Sequence, residues 1–352
     1  IQSGGNYNVV VGDEAGTAIT TGDSNVLIGY QTGDAITTGL QNVAVGQAAL
    51  SAEDTANYST AVGHAALFTQ NAGDVDAYNT AVGYKAGLSV TTGIQNTLVG
   101  GLVGDAITDG QLNTALGYSA LTAETSGQRA VAIGGFALAT QNITTATESY
   151  NVAVGYNSGG AVTTGQQNTL LGGLAGDALT DADQNIAVGY RALSNDTLGS
   201  KSVSIGNYSL GTQNFTTATD SFNVAVGHGA GESVTTGVQN TIVGGLAGDA
   251  ITTGSYNIAI GTNGGGGVTT GSQNILIGQG TGMGTLTGDL NTVVGDSAGA
   301  ALTSATHNTL IGALAGDALT TGSSNVAVGY LALSTDDVGQ HNVAIGRQAL
   351  EN

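Results

Sequence analysis

A five-residue block of the form Asn-Val-Ala-Val-Gly recurs along almost the whole of the 352-residue chain. Copies start at residues 8, 25, 42, 59, 79, 96, 113, 130, 151, 168, 185, 202, 223, 240, 257, 274, 291, 308, 325 and 342, which makes 20. Sixteen of the 19 intervals have a length of 17; the others are 20, 21 and 21. A fixed short period means small units that bury a core only by stacking on their neighbours. Such a unit is too short for a helix pair or a propeller blade, but it suits one coil of a β-solenoid. The expected fold is all-β: a parallel β-solenoid, or β-roll, of 20 coils forming a single continuous repeat domain over residues 1–352. At ~4.8 Å per coil such a stack would be about 95 Å long.

A longer period overlies the first. Gly33-Asp34-Ala35-Ile36 or its Leu-ending form returns at Gly104, Gly176, Gly248 and Gly316, in steps of 71, 72, 72 and 68. The chain reads as five cassettes of four coils. The three long intervals place insertions near residues 68–78, 139–150 and 211–222, and the fourth cassette has none.

Block position 5 is always Gly, as at Gly12, Gly29, Gly46, Gly63 and Gly83. An obligate Gly closing a strand implies a turn with positive φ or a close backbone approach. Thr-Thr-Gly signals such as Thr20-Thr21-Gly22 suggest a second strand and turn in each coil. Positions 2 and 4 are apolar or Thr and share one face, expected to be the coil interior. Position 3 is apolar in 19 copies, with Ser204 the exception. Strands buried on both faces read as continuous apolar runs. The second face is therefore expected to meet another copy of the chain, with Leu27, Leu98, Leu170, Ile242 and Leu310 as the suspected subunit interface. Position 1 is Asn in 17 copies, among them Asn8, Asn25, Asn42, Asn79, Asn96 and Asn151. Stacked amides at the coil spacing can form a structural hydrogen-bonded ladder.

Composition removes several classes of function. The 60 Gly without any Pro are not collagen, and the lack of Cys excludes disulfide scaffolds and thiolate metal sites. Five Lys and Arg against 25 acidic residues give a net charge of −20, the wrong sign for tracking nucleic acid. No apolar run approaches the ~20 residues of a membrane span. The chain begins at Ile1 rather than Met and reads as a piece of something longer.

The block, as in Asn151-Val152-Ala153-Val154-Gly155 and Asn342-Val343-Ala344-Ile345-Gly346, resembles the head repeats of YadA-like trimeric autotransporter adhesins. The longer form Asn113-Thr114-Ala115-Leu116-Gly117-Tyr118-Ser119-Ala120-Leu121 is similar to arrays in phage tail fibres and bacterial surface proteins. The resemblance spans essentially residues 8–350. It implies a left-handed β-roll, a parallel homotrimer, an extracellular location on a virion or cell surface, and work as an adhesive or receptor-binding shaft. The coil departs from the YadA type in being longer, and no helical stalk, membrane anchor or self-cleaving chaperone segment is recognisable in the sequence.

Chemistry is sparse. His64, His228, His307 and His341 lie in different coils with no second His near them in sequence. No acid, base and nucleophile recur at a common spacing, so no enzyme is expected. Asp34, Asp105, Asp177, Asp249 and Asp317 raise the question of calcium, but recur only every fourth coil. One carboxylate per site is a poor cage for a hard cation, and no cofactor is expected. The insertions are the candidate receptor-contact loops, through Phe68, Gln70, Asn71, Asp74, Gln141, Asn142, Thr144, Gln213, Asn214 and Phe215. Loops on a rigid scaffold commonly carry binding, here of a surface glycan or protein. The expected function is a structural and adhesive fibre segment. The alternative is a self-assembling extracellular filament subunit.

Overall fold

A computed structural model describes residues 4–351. They contain no helix. The chain divides into two compact units, Ile1–Asp181 and Ala182–Asn352. Each unit is a parallel β-solenoid of ten coils, and each coil contributes one three-residue strand at block positions 2–4. The first unit runs from the strand Val9–Val11 to Thr169–Leu171, the second from Ile186–Val188 to Val343–Ile345. Within each unit the strands pair in register with the same positions of the next coil, as Val9, Val10 and Val11 do with Val26, Leu27 and Ile28. A second strand is not formed in most coils. That side is turn, held by coil-to-coil backbone bonds such as Thr20 N to Thr37 O at 3.0 Å.

The strand faces are the reverse of the expectation. Position 3 points inward: Leu27, Ala44, Leu98, Leu170, Ile242 and Leu310 are completely buried within their own chain. Positions 2 and 4 face out, giving a half-buried, buried, half-buried pattern in most strands. Leu27, Leu98, Leu170, Ile242 and Leu310 are therefore core residues and cannot line a subunit interface.

Their recurrence has an internal cause. Position 9 of each coil faces position 3, and in most coils the two exchange volume. Where position 3 is Leu27, Leu98, Leu170 or Leu310, position 9 is Gly33, Gly104, Gly176 or Gly316. A Cβ on Gly33 would lie 2.7 Å from the Leu27 side chain, and one on Gly176 2.8 Å from Leu170. Where position 3 is Ala44, Ala61, Ala115 or Ala132, position 9 is Leu50, Leu67, Leu121 or Leu138, all buried. These leucines keep the left-handed backbone of the glycines they replace, with φ of 52°, 49°, 54° and 48°. That conformation strains a residue with a Cβ, and burial of the leucine side chain offsets the strain. Four coils pair Ala with Gly instead, as Ala81 does with Gly87, and there leucines or isoleucines of the neighbouring coils fill the space: a Cβ on Gly87 would lie 2.8 Å from Leu98 and 3.0 Å from Leu67.

The invariant Gly at position 5 lies in the positive-φ region and, through most of each unit, abuts the same Gly one coil on. At Gly83, with φ +143°, a Cβ would overlap the carbonyl oxygen of Gly100. Gly83→Ala is expected to cost about 2–4 kcal/mol, through backbone strain plus separation of two coils. Gly101→Ala, whose Cβ would make an ordinary 3.6 Å contact with Tyr118, should change stability by no more than ~0.5 kcal/mol. Urea unfolding of both variants checks the difference.

Candidate functional site

The position-1 asparagines run up each unit as a ladder. The Asn25 side chain donates to Gly39 O at 2.9 Å, closing its own coil, and accepts from Asn42 N at 2.9 Å, joining it to the next. Asn8, Asn42, Asn79, Asn96 and Asn151 make the same pair of bonds, at 2.7–3.0 Å.

The ladder lacks its Asn at Ser59, Ala130 and Ser202, and these are the three coils that carry insertions. Position 12 explains the coincidence. Inside the coils this position is a column of Ile, Val and Leu, such as Ile19, Ile36, Val90 and Ile107, all fully buried. In three cassettes two successive members become an acid and a glutamine: Glu53 with Gln70, Glu124 with Gln141, Asp196 with Gln213. All six are completely buried. Each Gln donates to the acid below, at 2.9, 2.7 and 2.5 Å. Each accepts from the next ladder residue, Asn79, Asn151 or Asn223, at 2.8–2.9 Å. Gln70 and Gln213 also donate to Ser59 and Ser202. The Gln carboxamide thus occupies the gap left by the missing Asn.

The other oxygen of each acid gathers backbone donors. Glu53 accepts from Asp54, Thr55 and Ala56, and Glu124 from Thr125, Gly127 and Ile143. Asp196 accepts from Gly199 and Phe215. Ile143 and Phe215 belong to the insertions, and their side chains are buried as well. On the outside, Arg129 pairs with Glu148, and Lys201 with Asp220 at 2.5 Å, fixing the far ends of the second and third insertions.

This anchoring corrects part of the receptor-loop expectation. Gln70, Gln141, Gln213 and Phe215 face the interior and cannot touch a receptor, because the insertions are sealed down through them. Asn142 is half-buried and accepts from Thr125 Oγ1 at 2.8 Å; Asn214 is exposed and accepts from Thr197 Oγ1 at 3.1 Å. Phe68, Asn71, Asp74 and Thr144 are exposed. Sequence reasoning missed Glu53, Glu124 and Asp196. Their signal was present: an acid in a mostly apolar column, six positions before each block that lacks Asn, although Asp336 stands in the same column before a block that keeps Asn342.

Elsewhere the titratable groups lie apart. His64, His228, His307 and His341 are exposed. Asp34 accepts from Ser51 Oγ at 2.6 Å, and Asp105 from Thr122 Oγ1. Burial pushes the carboxyls of Asp249 and Asp317 above the usual aspartate value, and Glu232 adds to the shift at Asp249. Among the described residues, no three His, Asp or Glu side chains converge as a metal cage. No helix among them is long and apolar enough to cross a membrane.

The outward strand face of each unit is left uncommitted. Its two columns are wholly Val, Ile, Leu and Thr, and several members are well exposed, among them Val11, Ile28, Leu116, Ile205 and Ile311. Protein-family models yield no match to this chain. A search of curated proteins likewise gives no significant match.

Proposed function

We propose that this chain is a structural segment of an extracellular adhesive fibre, of the phage tail-fibre or bacterial surface-adhesin kind. In this reading copies of the chain pack side by side in parallel, as a homotrimer. The observation that supports it is the outward strand face. Contiguous apolar surface on a soluble protein marks an interaction site, and an exposed polar column would have served a solitary solenoid better. A repeated surface on identical chains suits a cyclic oligomer. The −20 charge keeps such an assembly soluble and opposes lateral clumping.

Light scattering tests the reading. A mass near 103 kDa, three times 34.3 kDa, is expected. A mass of 34.3 kDa would overturn self-association. A much larger and heterogeneous mass would favour the filament alternative.

A further inference from the structure

We propose that a surface groove beside the first insertion binds an acidic saccharide, a pyranose ring bearing a carboxylate. The groove has a volume of about 440 Å³, within the range of small-molecule sites, roughly 300–1,000 Å³. Its floor and walls are Ala48, Ala65, Leu88 and the half-exposed ring of Phe68, with His64 at the rim. Lys85, Thr69 and Ser89 supply the polar groups, and no carboxylate lines it.

Two features select an anionic sugar. The first is charge. The chain has five Lys and Arg, and Arg129 and Lys201 are committed to ion pairs. Lys85 has no ion pair among the described residues; its ammonium stands 5.3 Å from the centre of the Tyr84 ring. A neutral sugar would leave that ammonium unmatched, whereas a carboxylate gains a charge-assisted bond. The second is surface type. The Thr69 hydroxyl donates towards Leu88 O and Val90 O, leaving its lone pairs to accept, and the Ser89 hydroxyl has no partner among the described residues. A pyranose offers a C–H face to Phe68 and Leu88 and hydroxyls to Thr69 and Ser89. A fatty acid would need a deeper, wholly apolar channel.

The cassettes provide an internal control. The buried acid–Gln anchor occurs beside all three insertions, but the groove residues do not. His64, Phe68, Lys85 and Leu88 correspond to Gly135, Ala139, Asn157 and Gly160 at the second insertion. At the third they correspond to Asn207, Gly211, Gly229 and Glu232. The aromatic wall and the cation therefore are not requirements of the fold, and they occur together once.

The inference deepens the adhesive reading and rests on it for biological meaning, but its chemistry is tested separately. Saturation-transfer NMR on the full chain would use methyl β-glucuronide against methyl β-glucoside, which differ in the carboxylate that replaces the hydroxymethyl group. Saturable binding of the glucuronide, at least tenfold tighter than the glucoside and weakened by salt, is expected. Lys85→Gln should remove that preference, and Phe68→Ala should weaken binding of the glucuronide. Phe68 is exposed and Lys85 half-buried at the surface, so circular dichroism should be unchanged. Equal affinity for the two sugars, no binding of either, or a preference that survives Lys85→Gln would overturn the proposal. Such a failure in a chain that still has the oligomer mass would leave the fibre reading standing.

Discussion

Leu98→Asp will unfold its region of the first unit, whereas Leu116→Lys will leave the solenoid folded and break the proposed side-by-side assembly into single chains. Leu98 is completely buried between Ala81 and Ala115 of the neighbouring strands and against Gly104. Truncating such a leucine to Ala costs about 2–5 kcal/mol, and placing an unpaired carboxylate there adds the penalty of a buried charge. Each coil is stable only through its neighbours, so the damage should spread along the stack. Leu116 is at position 4 and 47% exposed. Within one chain its replacement by Lys should cost no more than ~0.5 kcal/mol, as for other surface changes. Between copies it would bury an ammonium against apolar side chains. Circular dichroism and light scattering on the two variants separate the faces. A folded Leu98→Asp chain would refute the assignment of inside and outside, and an oligomer untouched by Leu116→Lys would refute the proposed packing face.

That assignment marks the limit of what the repeat reveals. The period and the invariant Gly suffice for a parallel coil, because little else fits so short a unit with a strand ended by Gly. Alternation could not say which face is inner, since Val26, Leu27 and Ile28 are all apolar. The apolar run at position 3 suggested a face turned to another copy, but its alanines and leucines lie in an interior too narrow for two large residues at one level. The deciding signal was the exchange of Leu27 with Gly33 for Ala44 with Leu50, a covariation between positions and not a property of either. The insertions show the same limit. Phe215 and Gln213 look like loop residues in sequence because the groups that hold them, Asp196 and Asn223, come from neighbouring coils.

Glu124→Val should destabilise the first unit by about 3 kcal/mol or more, and the same change made together with its partners should not. Alone, it strips the acceptor from Gln141 Nε2 and from the amides of Thr125, Gly127 and Ile143. A buried donor left unpaired costs about 1–3 kcal/mol. Hydrogen exchange should become fast at Thr125, Gly127 and Ile143, while distant coils keep their protection. The fourth cassette shows the apolar solution to the same geometry. There Val268 and Leu286 take the interior places of the acid and the glutamine and bridge each other. Asn274 restores the ladder, donating to Gly288 O at 3.0 Å, and the interval returns to that of the uninterrupted coils. Removing one member of a buried polar set is costly, whereas replacing the whole set by packed apolar groups can be neutral. The concerted variant combines Glu124→Val, Gln141→Leu and Ala130→Asn with shortening of the insertion to the uninterrupted interval. It should recover most of the stability lost by Glu124→Val, giving a coupling of at least ~2 kcal/mol in a mutant cycle. Additive losses would mean that the acid and glutamine act independently. A concerted variant as stable as the parent would make the polar set a device for carrying an insertion, not for holding the coils together.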